Sequence, residues 1–464
     1  MKTLISIFIL VISGQIFAQS TWSKHFSAGE FTLSRAFYLS PSNELLLVGT
    51  AVPASLYPTL FLWRVNSFTG DSIDLERCSS ANLCNDRTSI DQVIQDPEGN
   101  LITTGFMTFS PCNYLASVDT NLKIKWIKYL CTEEQIHYIT SILEQKEGVL
   151  LAASYSSLGV TLQKRSFDGD LIWSRYIAGE DLDIRSPKLV QLENGEFLLF
   201  YVTSTSSRVP SGHLAKFDKN ANLSWTKEVY WLTHDLEKAV DGHILTVESE
   251  SIQSSSLSNR IKKLSAQTGE VIWQKDISFP GYFPQVIKAD KFGGIYLAGT
   301  YRKIIDPVTN KYMFGLVKLD DFGNVKWNKF YESDQSEQPR QMIIGLDNSL
   351  FIQGNRESTG SLKTVIKKIS LDGFLVKSMG PEKGEVNVSL TPNPASEWLN
   401  ISIKNSNKQQ VSYRIFSSTG QEVIRQTFNG ESTKISLIGL SKGLYYLNLN
   451  TPKDSFGVFK FIKL

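Results

Sequence analysis

The residues most open to chemistry are few. All four cysteines, Cys78, Cys84, Cys112 and Cys131, fall in one stretch of the first third of the chain. Cys112 opens one β-rich run and Cys131 closes the next, with a turn near Thr120-Asn121 between them. On an antiparallel pair such positions lie opposite or nearly so, within disulfide reach. The spacing therefore predicts Cys112–Cys131, with Cys78–Cys84 stapling a loop. Zinc is the rival reading, but Cys-x5-Cys with distant partners lacks the tight spacing of a zinc site. The histidines, His25, His137, His213, His234 and His243, form no His-x-x-x-His pair, so no metal site is expected. The sequence contains no Gly-x-Ser-x-Gly elbow, phosphate loop or calcium loop. Asp181/Asp183 and Asp320/Asp321 fall in turns, where Asp satisfies backbone donors. Paired carboxylates for glycoside cleavage could still come from separate parts of the chain. Trp231, Tyr301 and Tyr312 are the candidates for stacking on sugar rings. No catalytic residue and no cofactor ligand is assigned.

These residues sit on a repeated frame. The phrase Asp168-Gly169-Asp170-Leu171-Ile172-Trp173 returns as Thr268-Gly269-Glu270-Val271-Ile272-Trp273 and as Phe322-Gly323-Asn324-Val325-Lys326-Trp327. Weaker copies end at Trp126 and Trp225, a degenerate one carries Asp74 in place of Trp, and Trp22 begins the series. A last copy runs Leu371-Asp372-Gly373 to Lys377. Successive marked positions are 52, 52, 47, 52, 48, 54 and 50 residues apart. Within each period four short β-rich runs are bounded by Gly, Asp, Asn or Pro. In the sixth they are Pro284–Ala289, Gly294–Thr300, Phe314–Leu319 and Asn324–Phe330.

Four antiparallel strands per period of this length make a β-propeller blade. One twisted sheet cannot bury both of its faces, so a ring of sheets is required. The recurrent Trp is then a wedge between blades, whose indole N–H needs a partner. The expected fold is all-β: a seven-bladed β-propeller with four-stranded blades over residues 19–380, closed by the Trp22 strand. The Lys377 strand competes for the same edge. The Trp phrase resembles the tryptophan-docking repeats of quinoprotein-like propellers. Quinone-dependent members commonly carry a vicinal Cys pair in the cofactor cavity. This chain has no adjacent cysteines, and no cofactor is expected.

Both ends read as addresses. Met1-Lys2, the apolar run Leu4–Ile12 and the small residue Ala18 have the order of a signal peptide, residues 1–18. The run is about half a bilayer-spanning helix, and no later stretch is long enough, so the chain is not expected to span a membrane. Residues 381–387 read as a linker. Residues 388–464 alternate as a small antiparallel β-sandwich with a local charge excess of +5, which leaves the rest near −3. Here Leu390-Thr391-Pro392-Asn393-Pro394-Ala395, Ser417-Ser418-Thr419-Gly420, Leu440-Ser441-Lys442-Gly443-Leu444-Tyr445 and the terminal Lys460–Leu464 run, with Lys463, resemble the type A sorting domain of the type IX secretion system. The resemblance implies export across an outer membrane by that machinery. It also implies removal of the tail and a secreted or cell-surface destination.

The whole chain of 464 residues has a formal net charge of +2, with 41% hydrophobic and 20% charged residues. That balance fits a packed globular protein and supplies no field for nucleic acid. The function expected is an exported binding or adhesion module with a glycan or protein ligand. The alternative is a secreted polysaccharide hydrolase or lyase with acids drawn from several blades. Any site is expected at the mouth of the central channel or on the longer loops.

Overall fold

The computed structural model describes residues 21–28, 31–40, 44–52, 59–67, 69–77, 92–107, 112–119, 121, 123–130, 138–155, 159–177, 183–205, 208–230, 232–250, 258–305, 310–358, 361–373, 375, 388–403, 410–417, 422–450 and 455–464. The expected signal peptide and the 381–387 linker lie outside these residues. The chain divides into two compact units, one of them Thr21–Leu375 and the other running from Val376 to the end.

Among the described residues of the first unit the regular structure is strand, save a short 3₁₀ turn at Glu193–Gly195. β1 (Trp22–Phe26) precedes β2 (Phe31–Leu39), β3 (Glu44–Val52), β4 (Thr59–Asn66) and β5 (Ser72–Arg77). Next come β6 (Gln92–Gln95), β7 (Leu101–Met107), β8 (Cys112–Val118) and β9 (Ile124–Leu130). They are followed by β10 (Tyr138–Gln145), β11 (Gly148–Tyr155), β12 (Gly159–Arg165) and β13 (Leu171–Ile177). The series continues with β14 (Asp183–Gln191), β15 (Phe197–Thr205), β16 (Arg208–Phe217) and β17 (Leu223–Val229). β18 (Thr233–Lys238), β19 (Ile244–Glu250), β20 (Ser258–Leu264) and β21 (Val271–Ile277) make the next set. Then stand β22 (Tyr282–Ala289), β23 (Ile295–Ile304), β24 (Asn310–Leu319) and β25 (Val325–Tyr331). The last are β26 (Glu337–Ile344), β27 (Leu350–Ser358) and β28 (Ser361–Ile369).

Sets β6–β9 through β22–β25 are separate four-stranded antiparallel meanders. The remaining strands form one sheet in which β1 completes β26-β27-β28, and β2 touches β28 by a single parallel pair, Phe31↔Leu362. Neighbouring first strands meet in succession, β2 to β6, β10, β14, β18, β22 and β26, and β26 returns to β2. The circuit is closed, as the propeller expectation requires. The edge of β28 belongs to β1, in the register Trp22↔Lys368 to Phe26↔Thr364. It is not available to the competing copy near Lys377, whose Leu371-Asp372 is a turn.

Apolar clusters lie between sheets, not within them. One joins Leu46, Val48 and Leu62 to Leu101, Tyr114 and Val118; another joins Leu245, Val247 and Ile261 to Ile287, Leu297 and Val317. Each large side chain buried this way contributes about 1.5–3 kcal/mol. The repeated phrase makes these interfaces specific. A Cβ added at Gly323 (φ +78°) would lie 2.8 Å from Trp273 of the preceding sheet, and one at Gly70 (φ +73°) 2.6 Å from Trp22. Gly169 receives Trp126 and Gly373 receives Trp327 in the same way. The indole N–H then donates across the joint, Trp22 to Ser67 O (3.2 Å) and Trp273 to Asp321 O (3.1 Å). Where Asp74 replaces Trp, it pairs with Arg64 of the neighbouring strand instead.

The second unit packs β29 (Val388–Thr391), β30 (Trp398–Ile403) and β33 (Ser432–Ser436) as one sheet. β31 (Gln410–Ser417), β32 (Glu422–Asn429), β34 (Gly443–Asn450) and β35 (Ser455–Lys463) make the other. Alternating residues Leu399, Ile401, Ile403, Val411, Tyr413, Ile415, Leu447, Leu449 and Phe461 form one core. It is the sandwich expected from the sequence, with β29 as an additional strand.

Gly323→Ala is expected to destabilise the chain by about 2–4 kcal/mol, combining a positive-φ penalty with a clash against Trp273. Gly430→Ala has a similar φ (+102°) and nothing within 4 Å of the new methyl. It should cost only about 1 kcal/mol. Urea midpoints of the two variants separate the clash from the backbone term.

Candidate functional site: the axial channel

The first strands line the axis of the circuit, and their side chains set its chemistry. Lys188 on β14 forms an ion pair with Asp235 on β18, and Lys288 on β22 pairs with Glu237 on β18 at 2.5 Å. Asp235 is buried and also accepts the backbone N–H of Leu236 and of Ile287, each at 2.9 Å. Burial, and behind it the Lys288 ammonium, press the Lys188 amine below its ordinary value, with Glu237 opposing. Around the axis Glu144 on β10 is raised by burial and by Asp96, and Tyr38 on β2 is raised by burial and by Glu144. Thus Asp235 and Glu237 are matched by lysines.

A second cluster sits where the ring closes. Glu337, 1% exposed, contacts Lys367 Nζ at 2.9 Å, His25 Nε2 at 3.3 Å and Arg356 Nη1 at 3.5 Å. Arg356 also forks onto Asp334, with both oxygens at 2.7 Å. The cluster ties β1 to β26, β27 and β28. Burial alone would raise the Glu337 carboxyl; the His25 imidazole and the Lys367 ammonium outweigh it and hold it at about 2.

The structure does not bring the proposed stacking residues together. Tyr301 stacks on Phe330, with centroids 4.1 Å apart, and is paired with Met313. Tyr312 is paired with Arg302, so it lies on the other face of the same sheet. Trp231, Cys78, Cys84, Cys131 and Gly420 lie outside the described residues. Cys112 opens β8 opposite Met107. Among the described residues no group of three or more His, Cys, Asp or Glu could hold a metal ion. No helix among them is long and apolar enough to cross a membrane.

In the second unit the separated pieces of the sorting phrase converge. Asn393 Oδ1 accepts the Ile462 N–H (3.0 Å), and Ala395 exchanges backbone bonds with Ile462 and Leu464 (2.8 Å each). Lys463 stands opposite both Ala395 and Gly443. Pro392 and Pro394 are exposed beside them. Tyr445 stacks on Phe461 at 5.6 Å and donates to Ser441 O (2.8 Å).

This unit is a secretion module. Residues 389–463 match the family described as the secretion system C-terminal sorting domain. The chain is therefore an exported protein of the type IX secretion system, sent to the cell surface or extracellular space. No curated protein matches it. Among solved structures, the extracellular domain of a one-component system from B. thetaiotaomicron aligns over 95% of this chain and 59% of its own length, at 10% identity and a TM-score of 0.44. Hydrazine synthase from Kuenenia stuttgartiensis aligns over 71% of this chain and 94% of its own, at 10% identity and a TM-score of 0.47. Quinohemoprotein alcohol dehydrogenase from Comamonas testosteroni aligns over 81% of this chain and 79% of its own, at 9% identity and a TM-score of 0.43. Likenesses this distant carry nothing about activity.

Glu337 supplies a pH test. Its folded value lies below the ordinary 4.5, so its contribution is present above pH 4.5 and is lost as pH falls toward 2. Glu337→Ala is expected to cost about 3–5 kcal/mol at neutral pH, because the buried Lys367 ammonium loses its carboxylate. Urea unfolding across this pH range should show the variant with a flatter acid limb.

Proposed function

We propose that this chain is an exported binding or adhesion module, a ring of seven blades in which β26-β27-β28-β1 is the composite last blade. Its sorting tail delivers the ring to the cell exterior, where the axial channel mouth and the loops meet a glycan or protein ligand. One observation carries this reading over hydrolysis: Asp235 and Glu237, on the inner strand β18, are neutralised by Lys188 and Lys288. A glycosidase needs one protonated carboxyl and a second free carboxylate flanking the bond. Here Asp235 and Glu237 are held in ion pairs as part of the wall.

The purified exported chain is expected to be retained on a glycan array or a protein ligand without releasing product. Release of reducing sugar that disappears in Glu144→Gln would establish the hydrolase reading, because Glu144 has the raised carboxyl that a general acid requires.

Deletion of residues 388–464 is expected to hold the protein in the periplasm. Mass spectrometry of the surface form, mapped without reduction, should find the tail cut between Gly380 and Val388. The same map should contain a Cys112–Cys131 peptide and a Cys78–Cys84 peptide. The register Asn113↔Leu130, one step inside that first cysteine pair, supports it. A Cys78–Cys131 link would reject the pairing.

A further inference from the structure

The inner strands share one irregularity. Their pairing with the second strands skips one residue in β2 (Arg35), β10 (Thr140), β18 (His234), β22 (Gln285) and β26 (Arg340), and two in β14 (Ser186 and Pro187). In β2, β18, β22 and β26 the skipped residue stands five positions before the residue that opens the inner turn, Ser40, Ala239, Asp290 or Gly345. A bulge leaves its extra residue unpaired and re-aims it out of the alternation. β18, β22, β26 and β2 are consecutive around the closed circuit. The four bulges therefore occupy one level of the channel, on adjoining strands.

What stands at that level is basic and polar. Arg340 and His234 are exposed. An inner strand is flanked by neighbouring blades on both sides and covered outside by its second strand, so this exposure opens to the axis. Gln285 is half-buried and accepts from Thr300 Oγ1 at 3.0 Å, leaving its amide N–H₂ group to donate. Next to His234 on β18 stands Asp235, matched by Lys188 of β14, so this part of the neighbouring wall adds no net charge. Among the described residues, no ion pair to Arg340 or His234 offsets the positive level above it.

We propose that this level of the channel, between β18, β22, β26 and β2, binds an acidic saccharide. Arg340 takes a carboxylate, and His234 and Gln285 take ring hydroxyls. A guanidinium grips a carboxylate in a two-pronged bond, and the amide and imidazole beside it suit a hydroxyl-rich acid better than a bare inorganic anion. The inference rests on the binding-module reading and narrows its ligand class.

Titration calorimetry of the full chain tests it with trigalacturonate, citrate and neutral cellotriose as probes. Trigalacturonate should bind at low salt and weaken as salt rises. Citrate should bind more weakly, and cellotriose not at all. Arg340→Gln and Arg340→Ala should each weaken trigalacturonate about tenfold or more, and His234→Ala by a smaller factor. Lys303→Ala, which removes an exposed charge paired with Glu332 outside the channel, should change nothing. Thermal melts matching wild type establish that the Arg340 variants are folded. Citrate binding as tightly as trigalacturonate would make the site one for free polycarboxylates and overturn the saccharide. No acidic probe binding, or equal losses in Lys303→Ala, overturns the site. Cellotriose or a protein ligand bound independently of Arg340 overturns it too, while the binding-module reading stands.

Discussion

The propeller depends on a flat indole lying where no side chain can stand. Trp126, Trp273 and Trp327 each project from an outer strand onto the glycine of the following sheet's turn, and that glycine is held at positive φ. Two requirements meet at one residue: the turn needs a left-handed conformation, and the indole needs the missing Cβ. Trp173 shows the tolerance of the device, since its partner turn carries Ala221 at φ +60° inside the same apolar cluster. The joint fixes the distance between sheets, and repetition of that distance closes the circuit.

A second, weaker contact follows the first. Two residues past the indole, Lys24 and Lys128 reach Asp71 and Asp170 of the next turn at 3.1 and 3.0 Å, and Lys227 reaches Glu270. These pairs are exposed, and each contributes about 0–1 kcal/mol. Their use is orientation: they repeat the direction of the indole contact. At the seam the demand is larger, because β1 arrives from the far end of the chain. The buried Glu337, with Lys367, His25 and Arg356 around it, makes the closing strand's position depend on matched charge as well as on pairing.

The axial wall explains why a rigid frame suits recognition. Inner strands cannot widen without breaking interfaces on both sides, so a ligand group meets donors already in place, which lowers the ordering cost of binding. The bulges add variety to this wall without disturbing the blades. A residue inserted out of register changes what faces the axis, while the flanking pairs keep their alternation and their apolar contacts.

Much of the frame was legible in the chain alone. The spacing of Trp and Gly implied repeated sheets and closure by the Trp22 strand, because period and turn chemistry are local properties of sequence. The runs expected at 284–289 and 314–319 fall in strands β22 and β24, and the sorting phrase marked the second unit, because its alternation and turn residues are local too. The site was not legible. Lys188, Asp235, Glu237 and Lys288 come from three blades, and their pairing is set by how far each inner strand advances before its turn. Tyr301 stood as a candidate for stacking on a sugar ring, yet it stacks on Phe330, since strand length and register place that ring within reach. The sequence by itself determined which segments become sheets and which residues must lie between them. Only the tertiary structure decided which charges share the axis, because contacts between distant blades follow from ring geometry and bulged register, and neither leaves a mark on neighbouring residues.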